Sequence, residues 1–293
     1  MRKKYRKNKT VNSFGALLLA ISIVIFGIGV VMAVNSCSPS DDPEPIVDNG
    51  DDNTEDPNQT PTGGFIGLET VILPDGTPSQ IKDYTGFTVS FNKDNKTPNY
   101  VVWELLGSEV GGSISRTDNF WQDKDIEGCP TTYDYTRSGY DRGHMCPAAD
   151  QKWSEEAMND CFVMTNMCPQ LHDLNAGVWE TLESKERQWA QRDSAIWIVA
   201  GPIYIPDEEV KTIGTAKIRV PDAFFKILLA PYLKEPRGIA FVFPHMAVAG
   251  NMQDYAMSID DLENDLNYNF FSTLPDDIEE KVESSFSFKE WNN

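Results

Sequence analysis

Hydrophobic and polar positions divide the chain into four stretches. Residues 1–13 are polar and basic, with six Lys or Arg and no acid among the first ten. Phe14 to Val34 (FGALLLAISIVIFGIGVVMAV) runs for 21 residues without a charge. As a helix of about 31 Å it matches the roughly 30 Å apolar core of a bilayer, and predicts a transmembrane anchor. Residues 35–62 turn acidic and proline-rich: Ser38 to Thr62 carry eight acids and no Lys or Arg. Such a segment has too little apolar surface to offset the entropy of ordering, which predicts a disordered linker. Residues 63–293 carry the pattern of a folded domain, with no internal repeat and enough length for one sizeable core.

Two periodicities organise that domain. Phe87, Val89 and Phe91 alternate, as do Val101, Trp103 and Leu105, so Thr85 to Gly107 reads as two strands around a polar loop. The runs SAIWIVAGPIYI, RVPDAFFKILLAP and GIAFVFP supply further strands. Val178, Leu182, Lys185 and Trp189 step down one side of LNAGVWETLESKERQWAQRD and predict a helix over Leu174 to Asp193. A second helix runs through DDLENDLN, with Ser258 as its N-cap and Asp261 at N3. Trp153, Trp179, Trp189 and Trp197 are expected in the core or as hydrophobic staples, not as base-stacking platforms. The fold class is α+β, on an antiparallel or mixed sheet.

Charge and cysteine content add expectations about location. The basic N-terminus should stay cytoplasmic and place the domain on the far side of a membrane. The length of the apolar stretch favours an uncleaved anchor over a signal peptide, and over lipidation at Cys37. The domain is then expected to be extracytoplasmic, membrane-tethered or secreted. There, Cys129, Cys146, Cys161 and Cys168 predict disulfides; no C-x2-C pair favours zinc. The chain carries 25 basic and 45 acidic residues; setting aside the six N-terminal bases and eight linker acids leaves 19 and 37, a balance of −18. Long-range steering toward a polyanion is therefore poor, and a nucleic-acid partner would need local basic groups and a divalent cation.

The chemistry-bearing stretch is DRGHMCPAAD, Asp141 to Asp150, expected in a loop or at a strand end. It holds His144, one of three histidines with His172 and His245. A histidine beside a guanidinium and a glycine can be a base next to phosphate, a metal ligand, or a residue of a polar turn, and its own stretch leaves all three open. On a regular helix Asn175 and Glu183 point about 80° apart, with α-carbons about 12 Å apart along the axis. That distance suits a division of labour in which Asn175 holds a metal through its amide oxygen and Glu183 reaches only the surrounding waters. A site with so few protein ligands suits Mg²⁺.

DRGHMCPAAD, TNMCPQ and LNAGVWETLE, in that order, resemble the DNA/RNA non-specific endonuclease family. The match is densest from Arg116 to Glu183 and extends over most of the domain. The resemblance implies a ββα-metal (His-Me finger) fold and one catalytic Mg²⁺, for which Mn²⁺ can substitute. It implies that His144 is the general base, Asn175 the metal ligand, and Glu183 the organiser of the metal's waters. Asn166 would order the site, and Arg142 and Arg116 would contact phosphate or the developing charge. The expected reaction is hydrolysis of DNA and RNA without sequence preference, giving 5′-phosphate ends, and a homodimer is a further expectation. His172 is a candidate for the pocket rim weighed against a structural role, which is favoured, and His245 is expected in a structural role. The acidic balance keeps two alternatives in view: a noncatalytic extracytoplasmic surface or assembly protein, and a phosphodiesterase for another anionic substrate.

Overall fold

The alternating and continuous apolar runs assemble into one antiparallel sheet covered on both faces. A computed structural model describes residues 65–206 and 208–292. In chain order the first half contains β1 (Gln80–Tyr84), β2 (Phe87–Asn92), β3 (Thr97–Leu106), β4 (Asp141–His144), α1 (Glu155–Asp160) and β5 (Met167–Gln170). A short helix α2 (His172–Leu174) leads through a π turn (Asn175–Trp179) into α3 (Glu180–Asp193). Then come β6 (Ala195–Ile203), β7 (Thr212–Ile213), β8 (Ile218–Arg219), β9 (Ala223–Ala230), β10 (Arg237–Pro244), β11 (Ala256–Met257), α4 (Ile259–Leu266), α5 (Asp276–Glu283) and α6 (Phe288–Trp291).

The large sheet has the order β1-β2-β3-β6-β9-β10-β11, with every neighbour antiparallel. Successive side chains of a strand point to opposite faces, so each run feeds two cores. On one face Val101, Trp103, Ile198, Phe224, Leu228 and Phe241 meet Trp179, Leu182 and Trp189 from the π turn and α3. On the other, Val102, Val199, Phe225, Ile227 and Val242 meet Ile259 and Leu262 of α4 and Val282 of α5. This is why RVPDAFFKILLAP and GIAFVFP read as continuous apolar runs. Ser258 caps α4 by accepting the Asp261 N–H at 3.1 Å.

The expected strands are present, as are the second expected helix and, from Glu180 onward, the first, and three further expectations need correction. DRGH is not a loop: it forms the whole of the short strand β4, which ends at His144 and pairs antiparallel with β5, with Gly143 opposite Cys168 and His144 opposite Met167. The disulfides expected from four extracytoplasmic cysteines are absent: Cys129, Cys146, Cys161 and Cys168 are buried free thiols. Their sulfurs face other partners, Cys161 Sγ donating to the Met158 carbonyl at 3.1 Å and Cys146 Sγ accepting from Gln151 Nε2 at 3.2 Å. Burial pushes the Cys161 thiol up to about 12, so it stays protonated.

The membrane-tethered, extracytoplasmic placement is the third correction. Among the described residues no helix is long and apolar enough to cross a membrane. The segments 14–34 and 35–62, on which the anchor and linker expectations rested, lie outside the described residues. The placement is withdrawn.

Candidate active site

The β4–β5 ribbon sits on the sheet face that carries α3, and it is held there by one asparagine. Asn166 is fully buried; its Oδ1 accepts the Cys146 N–H at 2.9 Å, and its Nδ2 donates to the carbonyls of Cys146 at 2.9 Å and Cys161 at 2.8 Å. The Met145 N–H also donates to the Asn166 carbonyl, at 3.0 Å. The backbone that follows His144 is thus clamped on both sides. Gly143 serves close approach, since a Cβ there would stand 2.6 Å from the Cβ of Gln170. Any larger residue would push β5 away and move His144 with it.

His144 is 8% exposed, with its ring 5.6 Å from the Phe120 ring and 5.0 Å from that of Phe162. The ring hydrogen-bonds to the main chain of Arg142, while Nε2 has no partner among the described residues. Burial, then the positive charges of Arg116 and Arg142, push its pKa down to about 3. The imidazole is therefore neutral around pH 7, with a lone pair to offer.

Two guanidinium groups stand around this base. That of Arg142 lies 4.1 Å over the Phe120 ring, and that of Arg116 lies 4.9 Å over Phe162. Arg116 is on an exposed loop and pairs with Asp118 at 2.7 Å. Both arginines, with Phe120, Tyr135, Tyr140, Asp141 and Asn175, line a cavity of about 520 Å³. Its walls combine cationic forks and hydroxyls, donors suited to phosphate, with the carboxylates of Asp118 and Asp141. His144 and Glu183 are not among the lining residues.

Asn175 opens the π turn, and Gly177 leaves helical geometry there, at φ −108° and ψ −115°. Regular helix geometry therefore does not describe the path from Asn175 to Glu183, and the 80° and 12 Å expected for it do not apply. The Asn175 Nδ2 donates to Asp141 Oδ2 at 3.0 Å, which fixes the amide so that Oδ1 is its remaining face. Oδ1 accepts from no donor among the described residues. A neutral oxygen presented in this way fits a hard divalent ion that keeps much of its water. Asp141 Oδ2 also meets His172 Nδ1 at 2.8 Å; the His172 side chain is 76% exposed, and its bond to Asp141 raises its pKa.

Glu183 is largely buried on α3, with its side chain 13% exposed. Its counter-charge is Lys226 of β9, at 4.0 Å from Glu183 and 3.2 Å from Glu186. The Lys226 ammonium also lies 4.3 Å over the Trp179 ring. Burial raises the Glu183 carboxyl to about 8, against the opposing pull of Lys226. Beside this group Arg187 pairs with Asp150 at 2.9 Å, and Trp103 Nε1 donates to Asp150 at 3.1 Å.

Several residues not singled out in the sequence belong to this assembly. Asp141 positions Asn175. Gln170 is fully buried with neither side-chain polar atom paired among the described residues. Lys226 was visible as the single charge inside AFFKILLA, a signal in its own right. His245 is structural, as expected: its Nδ1 pairs with the Pro221 carbonyl at 2.7 Å and its Nε2 accepts the Leu171 N–H at 2.8 Å, where the chain enters α2. One further group of carboxylates, Asp260, Glu263 and Glu283, is spaced to hold a cation, and lies between α4 and α5 on the opposite face of the sheet.

The family model for DNA/RNA non-specific endonuclease matches residues 68–277. Over 237 residues the chain is 32% identical to "Nuclease EXOG, mitochondrial" of Danio rerio, covering 74% of this chain and 68% of that protein. It is 30% identical to the Homo sapiens protein of the same name over 218 residues, covering 68% and 58%. It is 33% identical to "Nuclease" of Nostoc sp. over 211 residues, covering 68% and 75%. The chain thus spans between about three fifths and three quarters of the length of these relatives. In fold it is similar to "Crystal structure of the EndoG/EndoGI complex: Mechanism of EndoG inhibition", with a TM-score of 0.65 at 24% identity, covering 76% of this chain and 96% of that one. That structure is a complex of two different proteins, and the homodimer expected from the sequence is set aside. The chain belongs to the DNA/RNA non-specific endonuclease family.

Proposed function

We propose that this chain is a divalent-metal-dependent endonuclease that hydrolyses phosphodiester bonds in DNA and RNA without sequence preference, with His144 as general base. The observation that carries the role of His144 is the bare, neutral Nε2 beside two guanidinium groups. The imidazole accepts the proton of the water that attacks phosphorus. Arg142 and Arg116 hold the phosphate and oppose the charge that gathers on its oxygens, their planes steadied by Phe120 and Phe162. Asn175, with its amide turned by Asp141, would hold Mg²⁺ or Mn²⁺ through Oδ1. Such an ion would supply positive charge to offset the charge that builds up on the phosphate and on the leaving oxygen. Glu183, kept in place by Lys226, orders the water around Asn175.

The groups that line the cavity address phosphate and sugar, which accounts for the lack of base preference. Residues 63–293 are the endonuclease domain in this reading, and its −18 balance makes binding depend on the local arginines and the ion.

The test compares cleavage of plasmid, single-stranded DNA, RNA and a small diester in Mg²⁺, with an EDTA control, for wild type and His144→Ala. Wild type should cut all three polymers, stop in EDTA, and lose about 10²–10⁴-fold in rate in the folded variant. Undiminished cleavage by His144→Ala would overturn the role of the base, and cleavage of the small diester alone would overturn the substrate class.

A further inference from the structure

We infer that Asp260, Glu263 and Glu283 form a second cation site, for Ca²⁺ or a similarly hard divalent ion, that ties α4 to the end of α5. The inference does not depend on the proposed reaction. Asp260 and Glu263 are three residues apart on α4 and so share one side of it, while Glu283 is the last residue of α5. One carboxylate oxygen of each lies within 4.8 Å of the others. Acidic groups this close on a surface are common, so the decisive member is Glu283. It is 3% exposed and aimed at the other two, yet its Oε1 accepts no hydrogen bond from any described residue.

The surroundings offer this carboxylate no relief. The side chains whose charges act on Glu283 are Glu263, Glu279 and Asp260, all acidic. Lys281, the one lysine of α5, is turned to Glu235. A buried carboxylate without donor or counter-charge is unfavourable.

A hard cation resolves the arrangement. Ca²⁺ takes six to eight oxygens in flexible geometry and accepts carboxylates singly or in pairs, whereas Mg²⁺ demands a near-ideal octahedron. Three carboxylates supply at least three of those oxygens, and Glu263 Oε1 in addition accepts the Phe270 N–H at 2.6 Å. Through that bond the site would also hold the chain that follows α4. Both helices rest directly on β10: a Cβ on Gly238 would lie 2.7 Å from Ile259 Cδ1. The ion would thus close the second core at its open edge, on the face opposite His144.

The test is a calorimetric titration of the metal-stripped full chain with CaCl₂ at pH 7.5, alongside thermal melts with and without Ca²⁺. The expected result is one Ca²⁺ site that survives Asn175→Ala and is weakened about tenfold or more by Glu283→Gln and by Asp260→Asn. Ca²⁺ should raise the melting temperature of wild type, and at the same concentration raise that of both variants clearly less. Should Glu283→Gln fail to fold, Asp260→Asn, at a half-buried position, carries the same readout. Unaltered Ca²⁺ binding by the variants would overturn the site. So would a wild-type melt that ignores Ca²⁺ but rises on acidification, since the carboxyls would then be sharing protons.

Discussion

Asp141 Oδ2 accepts the side-chain N–H of Asn175 at 3.0 Å. This bond joins the first residue of DRGH to the first residue of the π turn, 34 positions away, and decides which face of the Asn175 amide is left for a metal. Asp141→Ala should therefore raise the Mg²⁺ concentration needed for half-maximal cleavage by about 10–100-fold, with a smaller loss of rate at saturating Mg²⁺. Asp141→Asn keeps an acceptor oxygen and should fall in between. An unchanged Mg²⁺ dependence in both variants would remove Asp141 from the site.

His144 makes stability depend on pH in a definite direction. Its pKa is about 3 in the folded protein against an ordinary 6.5, so between these values the unfolded chain takes up a proton that the folded chain refuses. Stability is therefore full above about pH 6.5 and is lost as pH falls toward 3. Urea unfolding at pH 7 and pH 5 should show a smaller drop for His144→Gln than for wild type. A phosphate seated between Arg116 and Arg142 offsets the charges that depress this pKa. The acid limb of kcat should then lie at higher pH than that of kcat/KM.

Lys226 is fully buried and faces Glu183 and Glu186. Lys226→Met removes the cation and leaves both carboxylates without it, which should cost about 3–5 kcal/mol in urea unfolding. Adding Glu186→Gln should recover part of that loss. A double variant no more stable than Lys226→Met would show that the pair is not coupled.

Asn166→Ala removes three buried hydrogen bonds at once, to Cys146 N, Cys146 O and Cys161 O. A destabilisation of at least about 2 kcal/mol is expected, because the main-chain groups stay buried without partners. Cleavage should fall as well, since the turn after His144 loses its clamp. A thermal melt and a rate measurement on the same preparation check both.

The sheet was legible where apolar runs are long. Ala195–Ile203, Ala223–Ala230 and Arg237–Pro244 are continuous because both faces are buried, and Phe87–Phe91 alternates strongly. The α4 cap was readable in Ser258 and Asp261. Less was legible where long-range contacts overrode local preference. β1, QIKDY, has no fully buried residue and forms only by pairing with β2. β4 is four residues long, three of them polar or charged, and is a strand because β5 lies beside it. The π turn at Asn175 leaves no mark in the helical pattern, since inserting an extra residue in a turn barely changes which side chains are apolar. The thiols misled because cysteine count carries compartment only by association, while burial beside Met158 and Gln151 set their state here.

The placement of Lys226 also bears on how the sheet finds its alignment. In a strand with one wet face, alternation tells the chain which way to turn, but in AFFKILLA both faces are apolar and a slip of one residue would bury the same kinds of side chain. The slip would, however, carry the ammonium to the face of Phe225 and Ile227, away from the carboxylates of α3. A single charge in the middle of the strand thus singles out one pairing with β6 and β10, and the residue that steadies Glu183 also keys the centre of the sheet.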